Sequence, residues 1–287
     1  MPNPGWDQAA LQQCHDITKA RAKNFYWAIV TLSRPKRKAV YTVYAFARRC
    51  DDIADDSGKS VGEKQGRLRE EKRRVMEMYK GRRPSDLYKA LGTTVEAYSI
   101  PEDYFIELIE GVEMDLTKNR YQTFDELKTY CYRVASVVGL ITLEIFQYSD
   151  DEAKEYAIDL GIGMQLTNII RDISEDLSRD RIYLPLEDLE RFDYLVKDLR
   201  NRVLDERFTS LLEYEAQRAR DFFRSGRKLF PYLPLRARAC PAGLYGIYSK
   251  LLSKMEDSNW DVLEDRARLS TLSKISAVIR QWLLAVV

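Results

Sequence analysis

The 287-residue sequence predicts an all-α fold in one domain, and three observations carry that expectation. Glycine is scarce at 13 residues and proline at 9. Apolar residues recur at i, i+3, i+4 and i+7 along nearly the whole chain, the spacing of one buried helix face. Period-two alternation, the mark of a half-buried strand, is almost absent. No polar linker long enough to separate two cores interrupts the pattern, so residues 1–287 are expected to form a single unit.

In order, helices are expected over roughly residues 8–31, 36–55, 64–80, 84–98, 102–117, 123–148, 151–177, 186–190, 195–201, 205–226, 236–257 and 270–285. The first runs through the aromatic NFYW at 24–27 and gives way to Ser33, a candidate cap, and Pro35, whose missing N–H costs nothing in a first turn. DSGKSVGEKQG is loop-like and separates the second helix from the third. The third, RLREEKRRVMEMYK, is a charge run with i,i+4 pairing and reads as a solvated face. SIPED introduces the fifth. Small and apolar residues from Ala135 to Gly139 fill the later turns of the sixth and admit close approach of either a neighbouring helix or a hydrocarbon chain. GIG at 161–163 has no strand before it and lacks the third glycine of a dinucleotide fingerprint, so close helix packing is its expected use.

Composition removes several function classes. With 46 Lys+Arg against 45 Asp+Glu, the chain lacks the basic excess of a nucleic-acid binder. The N-terminal stretch has no signal-peptide pattern, and the longest apolar run, VVGLITLEIF, is cut by Glu144. A cytoplasmic protein without a transmembrane segment is expected, with peripheral contact at the inner membrane face left open. Cys14, Cys50, Cys131 and Cys240 form no CxxC pair and are expected to be reduced. The lone His15 excludes histidine-based metal clusters.

The chemistry lies in two polar stripes. In RRCDDIADD (48–56) four carboxylates crowd six positions. On a helix, Tyr44, Arg48, Asp51 and Asp55 fall within about 60° of one another. Val40, Val43, Ala47 and Ala54 flank the stripe, so it lies beside the core-facing arc and needs a counter-charge that one arginine cannot supply. In GMQLTNIIRDISEDLSRDRIYLP (163–185), Gln165, Asn168, Asp172 and Asp176 share a face of another apolar helix, with Arg171, Arg179 and Arg181 close by. Two such helices facing each other across a cavity could hold magnesium, which takes one or two carboxylates and completes its shell with water and substrate phosphates. Arginines suit the phosphate. A magnesium-bound diphosphate at the mouth of a dry aromatic cavity suits ionisation of an allylic diphosphate.

These stretches carry a resemblance. DDIAD at 51–55, YCYRVASVVG at 130–139, QLTNIIRDISED at 165–176 and DRIYLP at 180–185 resemble the squalene/phytoene synthase family, over roughly residues 12–285. Within it, the segment to Asp56 and GIYSKLLSKMEDSNWDVLEDRARLS look most like bacterial presqualene diphosphate or squalene synthases. The resemblance implies an isoprenoid-synthase type of helical bundle around a central cavity. It implies magnesium held by Asp51, Asp55, Asn168, Asp172 and Asp176, and diphosphate gripped by Arg48, Arg171 and Arg181 with Tyr44 and Tyr183 nearby. Tyr130 would stand at the reaction centre beside Gln165, Tyr248 and Arg266 would be late phosphate contacts, and Phe25 and Asn24 would line the substrate site. One departure stands out: Ala22 and Asn24 occupy places where many members have serines. The expected reaction joins two farnesyl diphosphates head to head to presqualene diphosphate, releasing diphosphate, and stops there without NADPH, with an NADPH-dependent continuation to squalene left open. The alternatives are a phytoene synthase using two geranylgeranyl diphosphates, and a non-catalytic binder of prenyl diphosphates. Phe25, Tyr26, Phe46 and Phe146 are the side chains expected to shorten the cavity.

Overall fold

A computed structural model describes residues 5–22 and 25–286. Among these residues every named element is helical, and the sole ladder contact is an isolated parallel bridge between Arg120 and Ile182. The helices are α1 (Gln8–Arg21), α2 (Phe25–Ile29), α3 (Arg34–Ala54), α4 (Val61–Tyr79), α5 (Asp86–Tyr98), α6 (Glu102–Met114), α7 (Phe124–Cys131) and α8 (Val137–Phe146). After them come α9 (Ala153–Arg171), α10 (Ile173–Ser178), α11 (Leu186–Arg191), α12 (Val196–Arg200), α13 (Glu206–Gly226), α14 (Leu235–Asp257) and α15 (Thr271–Val286).

Caps explain most boundaries. Asp7 accepts from the Ala9 and Ala10 amides, Thr123 from Glu126, and Asp205 from Arg207 and Phe208. Ser60 and Glu63 form a reciprocal capping box that starts α4. Ser33 does precede α3, but its hydroxyl makes no capping bond; Pro35 in the first turn sets that helix's start.

Three departures from the expected elements bear on function. The long first helix is two, with Ala22 closing α1. The sixth helix contains one π turn, Tyr132–Ser136, between α7 and α8. The seventh breaks at Asp172, whose φ −102° and ψ 11° leave the helical region although its amide still bonds to the Asn168 carbonyl at 2.9 Å.

Two hydrophobic clusters form the interior. One joins α1, α3, α5, α6 and α8; the other gathers around α13 and the segment from Ile162 to Leu184. Helix α9 contributes to both, through Ala157, Leu160 and Met164 on one side and Ile162, Leu166 and Ile169 on the other. Close approach to the π turn needs glycine. A Cβ on Gly161 would lie 2.6 Å from the Ser136 Cα, and one on Gly111 would lie 2.7 Å from the Arg133 Cβ. The small residues at 135–139 therefore admit a helix at Ser136.

The helical run Phe124–Phe146 is long and apolar enough by length and composition to cross a membrane, but half of it is buried against the rest of the chain. The charge run of α4 is only partly solvated. Its Glu71 is buried, accepting from Arg49 at 2.6 and 2.9 Å and from the Tyr88 hydroxyl at 2.9 Å. The four cysteines are free and buried.

Candidate active site

Helix α3 and the α9–α10 segment face each other across a cavity of about 350 Å³. Both stripes open onto it. Along α9, Gln165, Asn168 and Arg171 are half-buried between fully buried Leu166, Thr167, Ile169 and Ile170, so the polar edge of an otherwise apolar helix forms one wall. Arg48 and Asp51 of α3, with Asp55 just past its C-terminus, form the opposite wall, and Asp172, Asp176, Arg181, Tyr130 and Tyr183 complete it.

The crowded carboxylates find different partners. Asp52 takes Arg48 at 2.5 Å, Asp56 takes Arg67 at 2.8 Å, and Asp55 meets Arg179 across the cavity at 3.4 Å. Asp51 is exposed to the cavity and flanked by protein groups on its other sides. Burial, aided by the Asp55 and Asp115 carboxylates and opposed by Arg48, pushes Asp51 up to about 7. Burial and the Asp172 charge push Asp176 up to about 7 as well. Asp172 goes the other way. Although desolvation works to raise it, bonds from Arg171 (2.7 and 2.5 Å) and Arg266 (2.7 Å) hold it below the usual carboxylate range.

Two buried polar atoms on this cavity have no partner: the Arg48 Nε donor and the Asn168 Oδ1 acceptor. Such groups are costly unless something else satisfies them. A donor aimed at an anion and an acceptor aimed at a cation, beside carboxylates with raised proton affinity, suit a metal diphosphate. Among the described residues no three acidic, histidine or cysteine side chains converge into a preformed cage. Magnesium takes few carboxylates and fills its shell with water and phosphate oxygens, so it does not need such a cage.

Not every predicted residue reaches this cavity. Tyr44 and Tyr248 pack on the ring of Phe25, with centroids at 6.4 and 6.1 Å, and form an aromatic cluster outside the lining. Burial pushes the Tyr44 phenol up to about 12. Arg266 approaches from the segment before α15 and touches the site through Asp172, with Glu175 at 3.5 Å. Asn24 lies outside the described residues. Phe46 is fully buried against Tyr88 and Phe105, and Phe146 belongs to the same core, so neither closes the cavity.

The sequence reading missed Asp115. It lines the cavity just beyond α6 and accepts from the Tyr183 hydroxyl at 2.7 Å and the Tyr130 hydroxyl at 3.1 Å. The Arg120–Ile182 bridge, backed by the Ile182 amide on the Asn119 carbonyl at 3.0 Å, lays the chain after Asp115 beside the chain leading to Tyr183. The rings of Tyr130 and Tyr183 stack at 5.1 Å, and buried Tyr121 packs against both.

A sequence model of the family described as squalene/phytoene synthase matches residues 18–273. The chain is 34% identical over 281 residues to a 15-cis-phytoene synthase of Synechococcus elongatus, covering 94% of this chain and 91% of that one. It is 35% identical over 278 residues to a phytoene synthase of Mycobacterium tuberculosis, covering 93% and 88%. Among solved structures, a dehydrosqualene synthase in complex with ligand superposes with a TM-score of 0.90 at 28% identity over 96% of both chains. The squalene synthase HpnC from Alicyclobacillus acidocaldarius gives 0.83 at 27% identity over 88% of this chain and 95% of that one.

Proposed function

The chain belongs to the squalene/phytoene synthase family and is a head-to-head prenyltransferase, and from that premise we propose that it condenses two geranylgeranyl diphosphates toward phytoene. The observation that carries the chain length is that relatives at 34–35% identity over nearly the whole chain are phytoene synthases. This replaces the farnesyl diphosphate reading favoured by the late-segment resemblance. The C15 reaction stays as the second reading because a dehydrosqualene synthase superposes at a TM-score of 0.90.

Asp51, Asp55, Asn168, Asp172 and Asp176 are the residues that would hold magnesium. The bound ion would supply a Lewis acid for the leaving diphosphate. Arg48, with its unpartnered Nε, and Arg171 and Arg181 bind and orient the phosphate oxygens. Gln165 holds the Asn168 amide, accepting from its Nδ2 at 3.3 Å, and so turns the free Oδ1 toward the cavity. The stacked Tyr130 and Tyr183 close one side of the cavity, excluding water from an allylic cation. A route to phytoene ends by proton loss and draws on no reductant.

The test is competition between geranylgeranyl and farnesyl diphosphate in the presence of magnesium, read by pyrophosphate release and product identity. Preferred turnover of the C20 substrate to phytoene is expected. Preferred turnover of the C15 substrate, with presqualene diphosphate or dehydrosqualene as product, installs the second reading. Tight binding of both without pyrophosphate release would leave only a prenyl diphosphate binder.

A further inference from the structure

Asp115 is held from several directions at once. Its carboxylate takes the Tyr183 hydroxyl on Oδ1 at 2.7 Å and the Tyr130 hydroxyl on Oδ2 at 3.1 Å, while its carbonyl accepts from Arg181 Nη2 at 3.1 Å. The two phenolic oxygens lie 3.4 Å apart. Each phenol has one proton, and a charged acceptor at 3.1 Å or closer wins it over a neutral hydroxyl at 3.4 Å. Both protons are thus turned toward Asp115, and what the two oxygens offer the cavity is lone pairs.

We infer that Asp115 is a positioning residue that fixes the phenolic protons of Tyr130 and Tyr183, so that the pair presents a preorganised negative edge to the carbocation. The inference rests on the carbocation chemistry proposed above and is independent of prenyl chain length. An electrostatic edge set before the reaction stabilises developing positive charge without reorganisation at the moment of ionisation. A neutral amide at this place cannot do the same. It offers one acceptor atom and an NH2 donor group, so one phenol must turn its proton away from residue 115, toward the neighbouring phenolic oxygen at 3.4 Å or the cavity.

The experiment compares wild type, Asp115→Asn, Tyr183→Phe and the double variant with magnesium and either prenyl diphosphate. Pyrophosphate release, the ratio of coupled product to free prenyl alcohol, and thermal unfolding are all read. Asp115→Asn should lower kcat on the order of 10- to 100-fold while leaving KM within about threefold, as loss of an interaction made in the transition state does. More of the cation should then be caught by water, raising the share of prenyl alcohol. The double variant should be no slower than the worse single, because both changes act through one hydrogen-bonded unit. Should Asp115→Asn fail to fold, Tyr183→Phe, which loses only a hydroxyl, must show the same lowered kcat and raised alcohol share. Additive losses, an unchanged product ratio, or wild-type turnover in Asp115→Asn overturns the inference alone. A wild-type chain that releases no pyrophosphate from either substrate overturns the proposed reaction and this inference with it.

Discussion

Asp51 and Asp172 show how two residues in matching stripes are prepared differently. Two arginines hold Asp172 below the usual carboxylate range, whereas desolvation and the neighbouring carboxylates push Asp51 up to about 7. Replacing either with asparagine is expected to lower turnover on the order of 10²-fold or more, the scale of one lost preorganised contact. Their effects on folding should diverge. Asp172→Asn leaves Arg171, 12% exposed, without its charge partner and should cost about 1–3 kcal/mol. Asp51→Asn relieves a strained charge. An unfolded aspartate loses its proton near 4, so between about 4 and 7 the folded chain binds the extra proton, and its stability falls as pH rises through that window. Melting of metal-free protein should therefore show Asp51→Asn matching or exceeding wild type at pH 8, with a flatter slope from pH 5 to 8. A steeper slope, or a variant less stable at pH 8 than wild type, contradicts the assignment.

At the level of elements, the π turn and the break at Asp172 shape the cavity wall. The π turn begins two residues after Tyr130 and is backed by Gly161, with the Ser136 hydroxyl donating to the Ile158 carbonyl at 2.7 Å. Single-turn π insertions in helices are frequent at functional sites. Gly161→Ala places a methyl 2.6 Å from the Ser136 Cα, where backbone and not a flexible side chain must yield. Overpacking of this kind should cost about 1–3 kcal/mol in urea unfolding and should lower turnover by moving Tyr130 relative to α9. A neutral alanine would show that α9 and the π turn are free to part. The helices themselves were legible because apolar periodicity survives one-residue irregularities, and for that same reason neither the π turn nor the break at Asp172 could be seen. Asp51, Asp172 and their neighbours were visible as stripes. Asp115 was not, because it stands alone in EMDLT at a helix end and acquires its partners through a bridge between segments over 60 residues apart. The cavity floor was also illegible: Phe46 and Phe146 have the bulk of lining residues, but their helix faces point into the core.

Across the molecule, the two hydrophobic clusters are tied not only by α9 but by an ion pair that crosses the cavity, and a second pair fastens a late segment onto its wall. Arg179 reaches Asp55 at 3.4 Å over 124 positions of sequence, and Arg266 reaches Asp172 at 2.7 Å over 94. Thermal shift measurements should find that magnesium with pyrophosphate raises the melting temperature by more than the sum of the two added singly, since ligands binding only the folded state stabilise it by mass action. An additive shift would mean the two ions bind without reference to each other. The ion pairs supply the reason for coupling. A metal ion arriving alone would have to draw Asp55 and Asp172 from their arginines, and a diphosphate arriving alone would have to draw those arginines from their carboxylates. Arriving together, they carry out a double exchange in which every charge leaves one partner for another and none is stranded. The cavity would then act as an ion exchanger, admitting the two halves of the salt together more readily than either one alone.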